Sequence, residues 1–131
     1  MEQELMGDFQ WTDHGASDAA IDAAEAELGV KLPADYLAVI RAFDGGEGFV
    51  GEGAYLRLWP VEDLVERNRV LDAARLVPGE VLIGTDGADD LYAVEPSDGT
   101  YATYPAVGLS ASLRRRTGGS WDEFLKVLSE M

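Results

Sequence analysis

The order of helical and strand patterns along the chain constrains its fold more than any other feature. Two helical patterns come first, one from Ser17 or Asp18 through Leu28 and one after Pro33. A strand, a third helix, three more strand patterns and a closing helix follow. Doubly wound parallel folds alternate strand and helix regularly, whereas this order is typical of α+β folds. We therefore predict one α+β domain with a mostly antiparallel sheet.

Capping residues set the ends of the first two helices. Ser17 or Asp18 can cap the first helix, and Gly29 suits the left-handed residue that follows its last turn. Pro33 can occupy the first position of the second helix, which ends at Asp44-Gly45-Gly46. Because the linker between these helices is very short, the sequence predicts a helical hairpin or corner.

The remaining elements are predicted from periodicity and turn chemistry. Residues 45–53 hold five glycines among nine residues, so we expect a mobile loop there. Ser120 and Glu123 form a capping box that starts the last helix. The other predictions are a strand at 55–59, a helix from Pro60, a connection at 72–79, strands at 81–83, 90–95 and 100–104, and a turn at 96–99.

The chain of 131 residues fits one domain with one core. We assign residues 1–16 to an N-terminal lead-in and residues 17–131 to the domain. No apolar run approaches the ~20 residues of a membrane helix. The acidic start, Met1 to Leu5, is unlike the basic start of a signal peptide. We therefore expect a cytoplasmic protein with no membrane partner.

Charge is the least ordinary property of the sequence. Twenty-five acids against ten bases give a net charge of -15, and the first thirty residues contain no lysine or arginine. Such a chain repels nucleic acid and attracts basic proteins. The alternative is that the acidity reflects the proteome of the source organism.

Four motifs in order resemble the SUKH superfamily over roughly residues 17–128. They comprise Ala26 to Tyr36 with Phe43 to Gly46, then Leu58 to Leu64, then Leu82 to Ala93, and finally Ser120 to Leu128. Family members often have a third glycine where this chain has Ala88-Asp89, which places an extra acid in that loop.

The resemblance implies helices packed on a curved, largely antiparallel sheet, and a binding role without catalysis. The superfamily includes bacterial immunity proteins that neutralise toxins, often nucleases or nucleic-acid deaminases. Other members resemble regulators of fungal cell-wall assembly. Because partners vary within the family, the resemblance does not identify a toxin.

Few residues could support catalysis or metal binding. The chain has no cysteine, and His14 is its single histidine, beside Asp13 in a polar segment. A solvated surface role for His14 is favoured over that of a general base. We predict no catalytic residues, no cofactor and no metal site.

Two glycine-containing segments carry the candidate partner-binding residues. The first segment contributes Glu47, Phe49 and Glu52, where Phe49 either contacts a partner or pins the segment to the core. The second contributes Asp86, Asp89 and Asp90, which form either an acidic contact surface or a turn stabilised by aspartate–backbone bonds. A calcium site is disfavoured, because the spacing lacks the ligand order and distal glutamate of an EF-hand.

Other distinctive side chains have both a functional and a structural interpretation. Trp59, Tyr92, Tyr104 and Trp121 could line a ligand pocket, but periodic aromatics are more often core residues. Arg114 to Arg116 could bind an anion, but local acids are the more plausible partners in so acidic a chain.

The leading hypothesis is a non-catalytic immunity protein that neutralises a bacterial toxin, often a basic nuclease, by direct binding. The alternative is a regulatory adaptor of the same fold with no toxin partner. A small-molecule-binding domain is a third, less favoured hypothesis.

Overall fold

A computed structural model describes residues 9–131 of the chain, so the first eight residues of the predicted lead-in lie outside the described residues. The helices in the described part are α1 (Asp18–Leu28), α2 (Ala34–Ala42), α3 (Val61–Val70), α4 (Ala73–Leu76) and α5 (Trp121–Ser129), with a 3-10 turn at Ala111–Leu113. The strands are β1 (Gln10–Trp11), β2 (Gly46–Phe49), β3 (Tyr55–Leu58), β4 (Val81–Thr85), β5 (Asp90–Glu95), β6 (Thr100–Pro105) and β7 (Arg115–Gly118).

The strands of the described residues form one open sheet in which sequence order equals spatial order, β1 to β7. Every neighbouring pair is antiparallel. The register shifts between Leu82 and Gly84 and between Tyr101 and Thr103, and such irregularities bend and twist strands. The predicted single α+β domain with helices on an antiparallel sheet is therefore confirmed.

The capping predictions hold at three helix ends. Ser17 Oγ accepts a bond from Ala20 N at 3.1 Å, and Gly29 adopts a φ of 72° after the last turn of α1. Ser120 Oγ accepts from Glu123 N at 3.2 Å. The Glu123 carboxylate reaches Gly119 N at 2.8 Å, one residue before the cap.

The prediction of a mobile loop at residues 45–53 is wrong, because Gly46–Phe49 forms β2 between β1 and β3. The glycines permit close packing there. A Cβ on Gly46 would lie 2.7 Å from Gln10 O, and one on Gly53 would lie 2.1 Å from Leu128 O. The sequence analysis also missed strand β7 and the short helix α4, which lies within the predicted connection 72–79.

Helix α5 packs on the sheet through an aromatic cluster. Phe124 stacks on Tyr101 with ring centroids 5.5 Å apart and meets Tyr92 edge-on at 5.8 Å. Trp121 lies 5.6 Å from Tyr101. All four rings are almost fully buried, so this cluster forms the centre of the core.

Helix α3 completes the sheet where β3 ends. The amide of Asn68 donates to Leu82 O at 2.9 Å and accepts from Leu82 N at 2.8 Å. It also donates to Leu64 O in its own helix at 2.8 Å. Asn68 therefore pairs the edge of β4 as a neighbouring strand would, and satisfies backbone groups that are buried there.

One carboxylate joins three elements that are distant in sequence. Asp35, in the first turn of α2, accepts from Tyr36 N at 2.8 Å, from the Tyr101 hydroxyl at 2.7 Å and from Trp121 N at 2.7 Å. Burial, followed by the bond to Asp35, raises the pKa of Tyr101 well above its ordinary value, so its hydroxyl stays a donor. Asp35 thus holds α2, β6 and the start of α5 together.

Candidate functional site

The topology brings the two candidate segments to the same end of the sheet. Arg57 of β3 pairs with Thr85 of β4, so the turn before β3 and the loop after β4 are neighbours. The Tyr92 hydroxyl crosses this region to donate to Tyr55 O at 2.7 Å. Residues 106–114 follow β6 at this end, and Ala106 N donates to Asp89 O at 2.7 Å. We call the segments 50–54, 86–89 and 106–114 the loop end.

Two cross-strand pairs form an exposed patch beside the loop end. Glu47 lies opposite Arg57, and Phe49 lies opposite Tyr55. Directly paired residues point to the same face of a sheet, so the four side chains share one surface. Phe49 is 55% exposed and meets the Tyr55 ring edge-on at 5.0 Å. This exposure argues against the interpretation that Phe49 pins the segment to the core.

Hydrogen bonds fix the polar half of this patch. The Tyr55 hydroxyl donates a short bond to the Glu47 carboxylate, and Arg57 Nη2 donates to the same oxygen at 3.2 Å. These bonds, that of Tyr55 first, lower the pKa of Glu47 below its ordinary value. The same contact raises the pKa of Tyr55. Glu47 is therefore ionised near neutral pH, and its orientation is set before any partner arrives.

Glu52 lies in the turn between β2 and β3 and is exposed. The last helix supports this turn, because Ala54 N donates to Leu128 O at 2.9 Å and Gly53 leaves no room for a side chain against the same carbonyl. The carboxylate of Glu52 is thus presented to solvent from a backbone that α5 holds in place.

The three aspartates of the second segment have different environments. Asp86 Oδ1 accepts from Ala88 N at 2.8 Å and from Asp90 N at 3.0 Å, which stabilises the turn. Asp90 is buried and receives Arg115 Nη2 at 2.7 Å. Asp89 is exposed. The structural interpretation therefore describes Asp86 and Asp90 well, whereas Asp89 presents its carboxylate to solvent.

Two arginines of the basic run are engaged by acids. Arg114 Nε donates to Glu80 at 3.2 Å and Arg115 pairs with Asp90. The local-acid interpretation of Arg114 to Arg116 is thus observed at two of its three residues. Arg116 has a φ of 51° in an exposed part of β7.

The side chains that could bind a metal ion or act in acid–base chemistry are not grouped together in the part of the chain that the structure describes. Within residues 9–131, no group of three or more histidine, cysteine or acidic side chains is placed to hold a metal ion. His14 is exposed and its Nδ1 lies 3.1 Å from Asp13 Oδ1, an arrangement that an ordinary surface pair adopts.

The aromatics considered for a ligand pocket lie in the core. Trp59, Tyr92 and Tyr104 are at most 5% exposed, and Trp59 is covered by Arg67 at 5.3 Å from its ring centroid. A cleft of about 340 Å³ between α2 and the start of α5 has Phe43 and Trp121 in its wall. A second cleft of about 480 Å³ lies among α1, α3 and α4. Of the four aromatics considered, only Trp121 lines a cleft; Trp59, Tyr92 and Tyr104 line neither of the two.

Sequence reasoning missed the contacts of Tyr55 and Arg57 in the exposed patch and the exposure of Val107. The sequence places Tyr55 and Arg57 on a strand, but their contacts with Phe49 and Glu47 depend on the register of the β2–β3 hairpin, which the glycines of β2 do not reveal. Val107 follows β6 and is 90% exposed. The sequence alone does not distinguish this exposed valine from the buried Leu109 two residues later.

None of the helices in residues 9–131 is long and apolar enough to cross a membrane.

The comparisons with known proteins give one positive result. A search of the curated proteins finds no match. The model of the SMI1 / KNR4 family (SUKH-1) matches residues 15–127, nearly the whole described domain. The chain therefore belongs to the SMI1 / KNR4 family, SUKH-1.

Proposed function

We propose that this chain is a cytoplasmic immunity protein that binds a toxin domain and neutralises it without catalysis. Its family membership over residues 15–127 carries the proposal. The SUKH superfamily is generally non-catalytic and its members bind other proteins, including toxins. The partner here would be a toxin domain with a basic surface, because the chain carries a net charge of -15.

The patch beside the loop end supports direct protein binding. Binding energy at protein interfaces is concentrated in a few aromatic and arginine side chains near the centre of the contact. Phe49, Tyr55 and Arg57 are residues of this kind, and they are already ordered by one another and by Glu47. Side chains that are fixed before binding lose less entropy when the complex forms.

Charge supports association more than final affinity. Acidic groups around a contact speed the approach of a basic partner, and this effect weakens as salt screens the charges. Glu52, Asp86 and Asp89 at the loop end form no ion pair within residues 9–131. Their charges therefore remain available for a basic partner.

Any toxin domain encoded by a gene that neighbours the gene of this chain provides the test, which is neutralisation of that domain. Expression of that domain alone should stop growth, and co-expression with this chain should restore growth. A catalytically inactive form of the domain should bind the purified chain at 1:1 stoichiometry, with faster association at 20 mM than at 200 mM salt (roughly a tenfold change, as for steered association).

Two outcomes would contradict the proposal. If the chain neither binds the toxin domain nor restores growth, the immunity function is wrong. If the chain instead forms a stable complex with a defined non-toxic protein and leaves toxin activity unchanged, the regulatory adaptor function replaces it.

A further inference from the structure

We infer that Val107 is a second apolar anchor of the partner-binding surface, so that the surface runs across the loop end from Phe49 to Val107 with acidic groups between them. This inference rests on the proposed function and names the part of the molecule that receives the toxin domain.

Contacts on both sides of Val107 hold the turn that carries it. Pro105 pairs with Asp90 at the end of β6, and Ala106 N donates to Asp89 O at 2.7 Å. Leu109, two residues further, is 6% exposed and returns the chain to the core. Val107 between these points is 90% exposed. An exposed valine held by a bonded residue on one side and a buried one on the other loses little freedom when a partner covers it.

The acids between the two anchors differ in the charge they offer. Asp90 is neutralised by Arg115 and is buried, so it offers little to a partner. Asp89, adjacent to the Ala106 contact, is exposed, as is Glu52 beside Phe49. The loop end therefore presents the exposed carboxylates of Glu52 and Asp89 and the exposed side chain of Val107, and Phe49 lies beside it.

The dimensions of this surface fit one interface. Phe49 ends β2 and Val107 follows β6, which are four strand positions apart in the sheet. At roughly 4.8 Å between neighbouring strands, β2 and β6 lie about 19 Å apart across the sheet. A standard partner face of about 800 Å² is roughly 28 Å across. One toxin domain can therefore contact both anchors and the acids between them.

The chemistry of the surface specifies its partner. The matching face has apolar recesses for Phe49 and Val107 and lysine or arginine side chains opposite Asp89 and Glu52. The repulsion between these acids and phosphate groups disfavours nucleic acid at the same place. A folded basic protein domain satisfies both the apolar and the charged requirements.

The chain offers a matched control for Val107. Val70 is 71% exposed at the end of α3, a helix that packs beside β4 at Leu82, away from the loop end. Val107→Lys and Val70→Lys change the net charge equally and remove the same apolar side chain. Any difference in binding between them therefore reports the location of the contact and excludes the effect of total charge.

The experiment measures the affinity of the same inactive toxin domain for the wild type and for four variants, by titration calorimetry at 150 mM salt. We expect Val107→Lys and Phe49→Ala to weaken binding at least tenfold and Val70→Lys to change it less than twofold. Circular dichroism and thermal unfolding of each variant separate a lost contact from a lost fold, and Val107→Ala provides a milder second variant, with an expected loss of three- to tenfold.

The outcomes distinguish the inference from the function on which it rests. Absence of binding by the wild type would overturn both. Wild-type binding with equal affinities for Val107→Lys, Val107→Ala and Val70→Lys would overturn the surface assignment alone and leave the immunity function intact.

Discussion

Replacement of Asp35 by alanine should be among the most destabilising single changes in this domain. The carboxylate accepts hydrogen bonds from Tyr36 N, from the Tyr101 hydroxyl and from Trp121 N, each at 2.7–2.8 Å. Tyr101 is fully buried and Trp121 is 2% exposed, whereas Asp35 is half-buried in the wall of the cleft between α2 and α5, so water replaces the lost acceptor only in part. The change therefore leaves at least two buried donors without a partner.

The magnitude follows from those two donors. A buried donor left unpaired costs about 1–3 kcal/mol, so two donors cost roughly 2–6 kcal/mol. A domain of this size is stable by roughly 5–15 kcal/mol, which makes the loss a large share of the total. Asp35→Asn keeps an acceptor oxygen but loses the negative charge, so we expect a smaller loss, at the lower end of the same range.

Urea unfolding followed by tryptophan fluorescence provides the assay. The midpoint should fall for Asp35→Ala while the slope with denaturant stays unchanged, since the exposed surface of the unfolded state is the same. Asp22, an exposed aspartate on α1, is the matched control. Asp22→Ala should change the free energy of unfolding by no more than about 0.5 kcal/mol.

A double-mutant cycle with Tyr101→Phe tests the reasoning directly. Removal of the hydroxyl should cost roughly 1–2 kcal/mol when Asp35 is present, but it should recover stability when residue 35 is alanine, because it then removes a buried donor that has no partner. Equal costs in the two backgrounds, or a loss below about 1 kcal/mol for Asp35→Ala, would refute the proposed role of the carboxylate.

Two further changes test other parts of the fold. Asn68→Ala removes the partner of the Leu82 backbone N–H and C=O, so we expect it to lower the free energy of unfolding in urea by roughly 2–4 kcal/mol. It should also speed amide hydrogen exchange at Leu82, and an unchanged exchange rate would contradict this role of Asn68. Burial, only partly offset by Arg114, raises the pKa of Glu80, so the folded state binds a proton more tightly than the unfolded state. The wild type should therefore gain stability relative to Glu80→Gln as the pH falls through this raised pKa. The gain should be complete below the ordinary glutamate pKa of about 4.3. Urea unfolding of both proteins at several pH values measures this difference. A difference between the two proteins that does not vary with pH would count against a raised pKa.

Much of the fold could be predicted because its signals are local. Ser17, Gly29 and Ser120 act at helix ends through bonds to residues three or four positions away. The turn at 96–99 likewise forms through local contacts, with Gly99 N donating to Glu95 O at 2.8 Å. Such interactions are visible in a short stretch of sequence.

The missed strands lack such local signals. The first three residues of β7 are exposed and polar, so this segment lacks the alternation of apolar and polar residues that indicates a strand. In β2 the glycines suggest flexibility. Gly46 is nevertheless required because the backbone of Gln10, in the distant strand β1, leaves no room for a side chain there. Only the paired structure distinguishes a glycine that permits close packing from one that permits motion.

For the candidate site, the sequence could predict only which two segments carry its residues. The roles of Asp86 and Asp90 differ because one bonds its own turn and the other meets Arg115, which is 25 positions away. Phe49 could be singled out from the sequence as an aromatic among glycines. Its association with Tyr55, and that of Glu47 with Arg57, depends on strand register.

The Asp35 contact also constrains when the domain can finish folding. Its partners Tyr101 and Trp121 lie 66 and 86 positions further along the chain. Contacts between residues this distant close large loops, which slows folding. During synthesis, Asp35 cannot complete its bonds until the start of the last helix has emerged from the ribosome. We therefore expect nascent chains that stop before Trp121 to remain accessible to proteases and chaperones, and a partner-competent surface to form only after the start of α5 has been synthesised.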